Sequence, residues 1–193
     1  MLNMNQLQYD DWYRKTTAFL QKRFGRDYKL VAALLAATSP QVHVATSWGW
    51  TMQIYEQFKA GRKPGLSMLM RCHRANVKRA LAGEELSGSK VKAFYQALIG
   101  DEQAVVIDTW MLKLFKWYER RDGQQKRFPS DRQYERLAGA FRRWSNNIGI
   151  APARLQAELW TRYRLKNGFK PSDYVYAGRD VNQLTFNNLY IPF

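Results

Sequence analysis

The chain is short of the residues that metal and disulfide proteins depend on. It has one cysteine, Cys72, and two histidines, His43 and His73. A single thiol excludes an internal disulfide and a four-cysteine iron–sulfur cluster. Neither histidine has a metal-ligand spacing, and Cys72-His73 side by side is no zinc motif, so neither a metal nor another cofactor is expected. No run approaches the roughly 18 apolar residues of a spanning helix, so no membrane partner is expected. The opening MLNMNQLQYDDWYRK lacks the basic-then-apolar order of a secretory signal. Repeats, low-complexity tracts, Gly/Ser linkers and strand patterns are all scarce. Acidic residues are scarce too, with 16 against 31 Lys and Arg, which leaves a net charge of +15.

What is present points to a folded, basic, helical domain. Hydrophobic residues make up 46% and aromatics 15%, enough for one good core in 193 residues or two small lobes that share one. The positive charge is spread along the chain and not held in a tail. Such a domain suits a polyanionic partner, most often nucleic acid. A membrane surface fits less well, because no single helix divides into a basic and an apolar face.

The apolar period is helical almost throughout, which predicts an all-α fold of about eight helices in a single domain over 1–193. Tyr9, Trp12, Tyr13, Thr16, Phe19, Leu20 and Phe24 mark the first helix, which Gly25 ends. YKLVAALLAATS is apolar on nearly every side and reads as a central buried helix. Ser39-Pro40 reads as an N-cap and first helical position for the next, which carries Trp48, Trp50, Ile54, Tyr55 and Phe58. LSMLMRCHRANVKRALAG reads as an Arg-rich helix ending at Gly83. Ser130 and Gln133 form a capping-box pattern, and Pro152 opens a last amphipathic helix. The tail VNQLTFNNLYIPF reads as an extended segment that packs back.

The stretch GSKVKAFYQALIGDEQAVVIDTW, residues 88–110, carries the chemistry. A tight turn leads into a helix with Val91, Phe94, Tyr95 and Leu98 inward and Gly100 as its stop. The short apolar run AVVI follows, and Asp108 caps a helix whose inward residues are Met111, Leu112, Phe115 and Tyr118. Free amides at a glycine turn and a helix start suit a phosphate. Lys90 stands at one helix start and Asp108 at another. A lysine nucleophile needs its neutral form, which burial, a helix N-terminal field and nearby cations favour. The plainer reading is a helix cap and a solvated lysine, and spacing alone leaves both open.

These residues resemble the helix-hairpin-helix DNA glycosylase superfamily. The nearest branch is the archaeal-type 8-oxoguanine glycosylase/lyase, together with small phage and bacterial glycosylase-like proteins. The resemblance rests on Gly88-Ser89-Lys90, Phe94 and Val106-Ile107-Asp108, with 18 residues from lysine to aspartate. It is strongest over 81–115, and the hairpin and catalytic segment together span about 81–121. LLAATSPQVHVATSWGWTMQIYEQF resembles the early helix pair of the family, with Gln41 in its motif, and PARLQAELWTRYR resembles a late helix. The hairpin here lacks the usual proline and one glycine, and Trp110 stands where the family has histidine. The chain ends NLYIPF, without the terminal lysine of some 8-oxoguanine enzymes, so that substrate is not implied.

The resemblance implies two lobes around the hairpin and a monomer acting on DNA. It also implies the cytoplasm of a bacterial or phage-infected cell. The same resemblance implies that one nucleotide is flipped from the stack. In the reaction the resemblance implies, Lys90 attacks C1′, a Schiff base forms, β-elimination can follow, and Asp108 is its partner. Ser87, Gly88, Ser89, Lys92, Arg71, Arg74, Lys78 and Arg79 are the candidate DNA contacts; for the four on one helix the plainer reading is a solvated face. Gln41, Trp48, Trp50 and Trp110 are candidates for the base pocket or wedge, and ordinary core is the plainer reading for the tryptophans. Two other functions fit the same residues. One is a glycosylase-like enzyme that modifies bases in place, and the other is a non-catalytic DNA-binding protein of this fold.

Overall fold

The computed structural model describes residues 7, 9, 11–117 and 128–168, and these are all-α. Among them are eight α-helices and one 3-10 turn, with no strand: α1 Trp12–Phe24, the turn Gly25–Asp27, α2 Tyr28–Thr38, α3 Val44–Lys59, α4 Arg71–Ala82, α5 Ser89–Leu98, α6 Thr109–Leu114, α7 Asp131–Asn147 and α8 Pro152–Lys166. No described helix is long and apolar enough to cross a membrane. The described chain divides into two compact units. One holds residues 14–87; the other holds the residues before 14 together with 88–117 and 128–168.

In the 14–87 unit, α2 is the central helix and packs against α3 and α4. Val31, Leu34 and Leu35 are fully buried, and so are Ala32, Ala36 and Ala37, whose small side chains let neighbouring helices come close. Thr38 ties the end of α2 to α3: its hydroxyl donates to the Leu34 carbonyl at 3.0 Å and meets the hydroxyls of Ser47 at 2.8 Å and Thr51 at 3.1 Å. Trp48 is buried against Phe19 and Phe24.

Two helix starts differ from the sequence reading. Ser39 is the C-cap of α2, not an N-cap, and its hydroxyl donates back to the Ala36 carbonyl. The next helix starts at Val44, after a turn in which Gln41 takes φ +60°. A serine hydroxyl serves either end of a helix, so the Ser-Pro pair marks a break without its direction. The Arg-rich helix starts at Arg71, not near Leu66, because 62–70 is irregular and is held by Arg74, which donates to the carbonyls of Leu69 and Ser67.

In the other unit, α8 packs against α6 and α7, and α5 against α7. Its core is built from Val105, Ile107, Met111, Leu112, Tyr134, Ala138, Phe141, Ile150 and Leu155. The AVVI run is buried and belongs to no helix or strand, so its peptide groups need partners from elsewhere. Tyr134 supplies them: its hydroxyl accepts from Ile107 N–H at 2.9 Å and donates to the Val105 carbonyl at 3.1 Å. The Ser130–Gln133 capping box and Pro152 at the start of α8 are as the sequence predicts. α8 also anchors the first described residues, because Glu158 accepts from Tyr9 N–H at 2.6 Å and Gln156 from the Tyr13 hydroxyl at 2.7 Å. Helix α6 is shorter than its apolar pattern: it ends at Leu114, and Lys116 takes φ +53°. Tyr118, part of the loop after it and the tail segment lie outside the described residues.

Candidate active site

The unit containing α5–α8 holds both Lys90 and Asp108. Gly88 precedes α5 at φ +88°, a left-handed conformation that favours glycine, and its carbonyl accepts from Lys92 N–H at 3.0 Å. Lys90 then falls in the first turn of α5, half-buried, and shares a helix face with Phe94 four residues on. Phe94 lies against Trp12 and Tyr13, with ring centroids 6.3 Å away in each case.

Asp108 caps α6 from an extended backbone. Its Oδ1 accepts from Trp110 N–H at 3.0 Å and Met111 N–H at 2.9 Å. Its Oδ2 accepts from the indole N–H of Trp160, on α8, at 2.8 Å. The Arg164 guanidinium stacks 4.4 Å from the Trp160 ring centroid and 6.0 Å from that of Trp110. The Lys113 ammonium covers Trp110 at 4.6 Å.

Burial lowers the pKa of Lys90 below its ordinary value, and the negative charge of Asp108 pulls it part of the way back. Arg164 repeats the pattern, pulled down by burial and held up by Asp108. One carboxylate therefore acts on two cations in a partly desolvated place. A lysine whose neutral form is favoured beside a fixed carboxylate can attack an electrophilic carbon and hand on a proton.

Of the other predicted residues, Gly88, Ser89, Lys92 and Trp110 lie in this unit. Ser87, Gln41, Trp48, Trp50, Arg71, Arg74, Lys78 and Arg79 lie in the 14–87 unit. Trp48 is core, 1% exposed. Trp50 is half-buried, its ring 5.7 Å from His73. Gln41 is exposed on its turn. Ser87 is clamped by Asn76, which accepts from its N–H at 2.7 Å and donates to its carbonyl at 3.0 Å. Arg71 and Lys78 are exposed on one face of α4. Arg74 and Arg79 are exposed too, but both reach loop carbonyls, Arg79 that of Glu85.

The first turn of α5 carries a charge the sequence did not reveal. The Ser89 hydroxyl donates to the Asp131 carboxylate on α7. Asp131, Glu135 and Asp101 line a cleft of about 400 Å³ with Gly88, Ser89 and Lys92. The seat expected for a phosphate thus has a carboxylate beside it.

Sequence reasoning missed Trp160, Arg164 and Asp131. Trp160 lies 52 positions from the aspartate it holds, and no periodicity links the two. The available signal was the Trp-x-x-x-Arg spacing of LWTRYR, which puts an arginine over a tryptophan one helical turn away.

No curated protein and no solved structure matches the chain. A family model does: Family of unknown function (DUF7178) matches residues 3–167, most of the 193-residue chain, and the protein belongs to that family.

Proposed function

We propose that this chain is a DNA glycosylase with AP-lyase activity, with Lys90 as nucleophile and Asp108 as its proton acceptor. The observation that carries the reading is the pairing itself: a half-buried lysine with a lowered pKa, under the charge of a fixed carboxylate, at the spacing of the resembled superfamily. The net charge of +15 supports DNA as the substrate. In this reading the protein works as a monomer in a bacterial or phage-infected cytoplasm. Of the four predicted pocket or wedge residues, Trp110 is the one that shares a unit with Asp108.

The steps balance as follows. The Lys90 amine forms a bond to C1′ of a flipped nucleotide, and the base leaves with the electrons of the glycosidic bond and takes up a proton. The new ammonium loses a proton to Asp108, the C1′–O4′ bond opens with its electrons going to O4′, which takes up that proton, and a protonated imine links Lys90 to C1′. Removal of a C2′ proton expels the 3′ phosphate, and water then hydrolyses the imine to restore the amine.

Borohydride trapping on a duplex with one abasic site tests this without knowledge of the base. The expected result is a covalent adduct in wild type and Lys92→Ala that is lost in Lys90→Ala. Equal loss in both lysine variants would replace nucleophilic attack with simple charge attraction. If wild type forms no adduct, a gain in mass of treated DNA would identify base modification in place. Salt-sensitive binding alone would identify a non-catalytic protein.

A further inference from the structure

The carboxylate of Asp108 is held more firmly than a helix cap requires. A carboxylate has about four acceptor positions, two on each oxygen. The two cap amides occupy Oδ1, as they would for any capping aspartate. The third donor is not local: Trp160 comes from α8 and aims its only polar atom at Oδ2. Among the described residues no other group donates to the carboxylate, so its remaining acceptor position is on Oδ2. The direction of that position follows from the indole.

The indole is itself fixed. Arg164, one turn along α8, covers it at 4.4 Å from the ring centroid, and Trp12 approaches it edge-on at 6.4 Å. Arg164 is 9% exposed, so the stack is a packed one and not a surface encounter. A half-buried indole satisfies its N–H wherever it can. This one does so on the one carboxylate whose charge reaches Lys90.

We propose that Trp160 is a positioning residue: its N–H fixes Oδ2 of Asp108 so that the remaining acceptor position takes the proton from Lys90, and Arg164 holds the indole in that orientation. The inference rests on the Lys90–Asp108 reading. It assigns a task to α8 that the resemblance did not supply.

Single-turnover trapping on the abasic duplex tests it with wild type, Trp160→Phe, Asp108→Asn and the double variant. Trp160→Phe keeps the aromatic body and loses the donor. Its trapping rate falls about tenfold, the order expected for one hydrogen bond to a charged group. Asp108→Asn falls at least as far, and the double variant is no slower than Asp108→Asn, because the indole acts through the carboxylate. Trp160→His, which keeps a ring N–H, recovers part of the loss. In the free protein the Trp160 indole N–H signal, identified by its absence in Trp160→Phe, moves in Asp108→Asn. Full speed in Trp160→Phe, or losses that multiply in the double variant, overturns the proposal. If wild type forms no adduct, the Lys90 reading has failed, and the indole signal decides the positioning by itself. An unmoved signal in Asp108→Asn overturns the positioning; a moved one keeps Trp160 as the residue that orients Asp108 and overturns the proton transfer from Lys90.

Discussion

Lys90 carries its charge where the protein disfavours it, and this has a measurable cost. Its pKa is lowered on folding, so between that lowered value and 10.5 the unfolded chain binds more protons than the folded one. Stability from this site rises with pH through that window. The penalty is full below it and absent above it. Lys90→Met should therefore raise the melting temperature at pH values below that window while removing the adduct, and the gain should shrink through the window and be gone above 10.5. Asparagine keeps the capping oxygen but turns an amide NH2 toward the Trp160 indole N–H, so Asp108→Asn should cost about 1–3 kcal/mol while slowing trapping about 100-fold. Asp108→Ala loses the cap as well, about 1 kcal/mol, and should melt roughly 2–4 °C lower by calorimetry. Lys90 and Asp108 were legible because one continuous stretch of sequence holds both. Trp160 and Arg164 were not, because only the packing of α8 against α6 brings them to the carboxylate.

The helices were legible where a local signal fixes an end and illegible where tertiary contacts do. The capping box of α7 and the proline of α8 are local, and both stand as read. The start of α4 depends on Arg74 reaching carbonyls outside the helix, and the start of α3 on a turn the Ser-Pro pair does not encode. The buried AVVI segment is the instructive case. It has strand-like residues and no partner strand, and one phenol from α7 replaces the missing ladder. Burial holds the Tyr134 phenol far above the usual tyrosine range, so it remains a donor at any working pH. Tyr134→Phe leaves a buried N–H and a buried carbonyl without their partner and should cost about 1–3 kcal/mol in denaturant unfolding. Ile107 directly precedes Asp108, so the same change should also slow trapping.

The charge is unevenly divided. Residues 14–87 contain thirteen Lys and Arg against four Asp and Glu, and all thirteen are exposed. The other unit sets Asp101, Asp131 and Glu135 around the start of α5. DNA affinity should accordingly depend more on α4 than on the α5 turn. Arg71→Gln with Lys78→Gln should lower the slope of log affinity against log salt by about 2 in fluorescence-anisotropy titrations, while Ser89→Ala leaves it unchanged. Composition points to a polyanion partner, and the division of charge needed the fold, because the chain leaves one unit at Tyr13 and returns to it at Gly88. That detour has a consequence for synthesis. The described part of the basic unit, 14–87, is one unbroken segment that is made before α5–α8. Tyr9 and Tyr13 precede that segment, yet their partners Glu158 and Gln156 lie on α8, 149 and 143 positions later. The unit carrying Lys90 and Asp108 thus closes only after α8 has been made, so a copy cut short before α8 would lack the helix that holds the carboxylate.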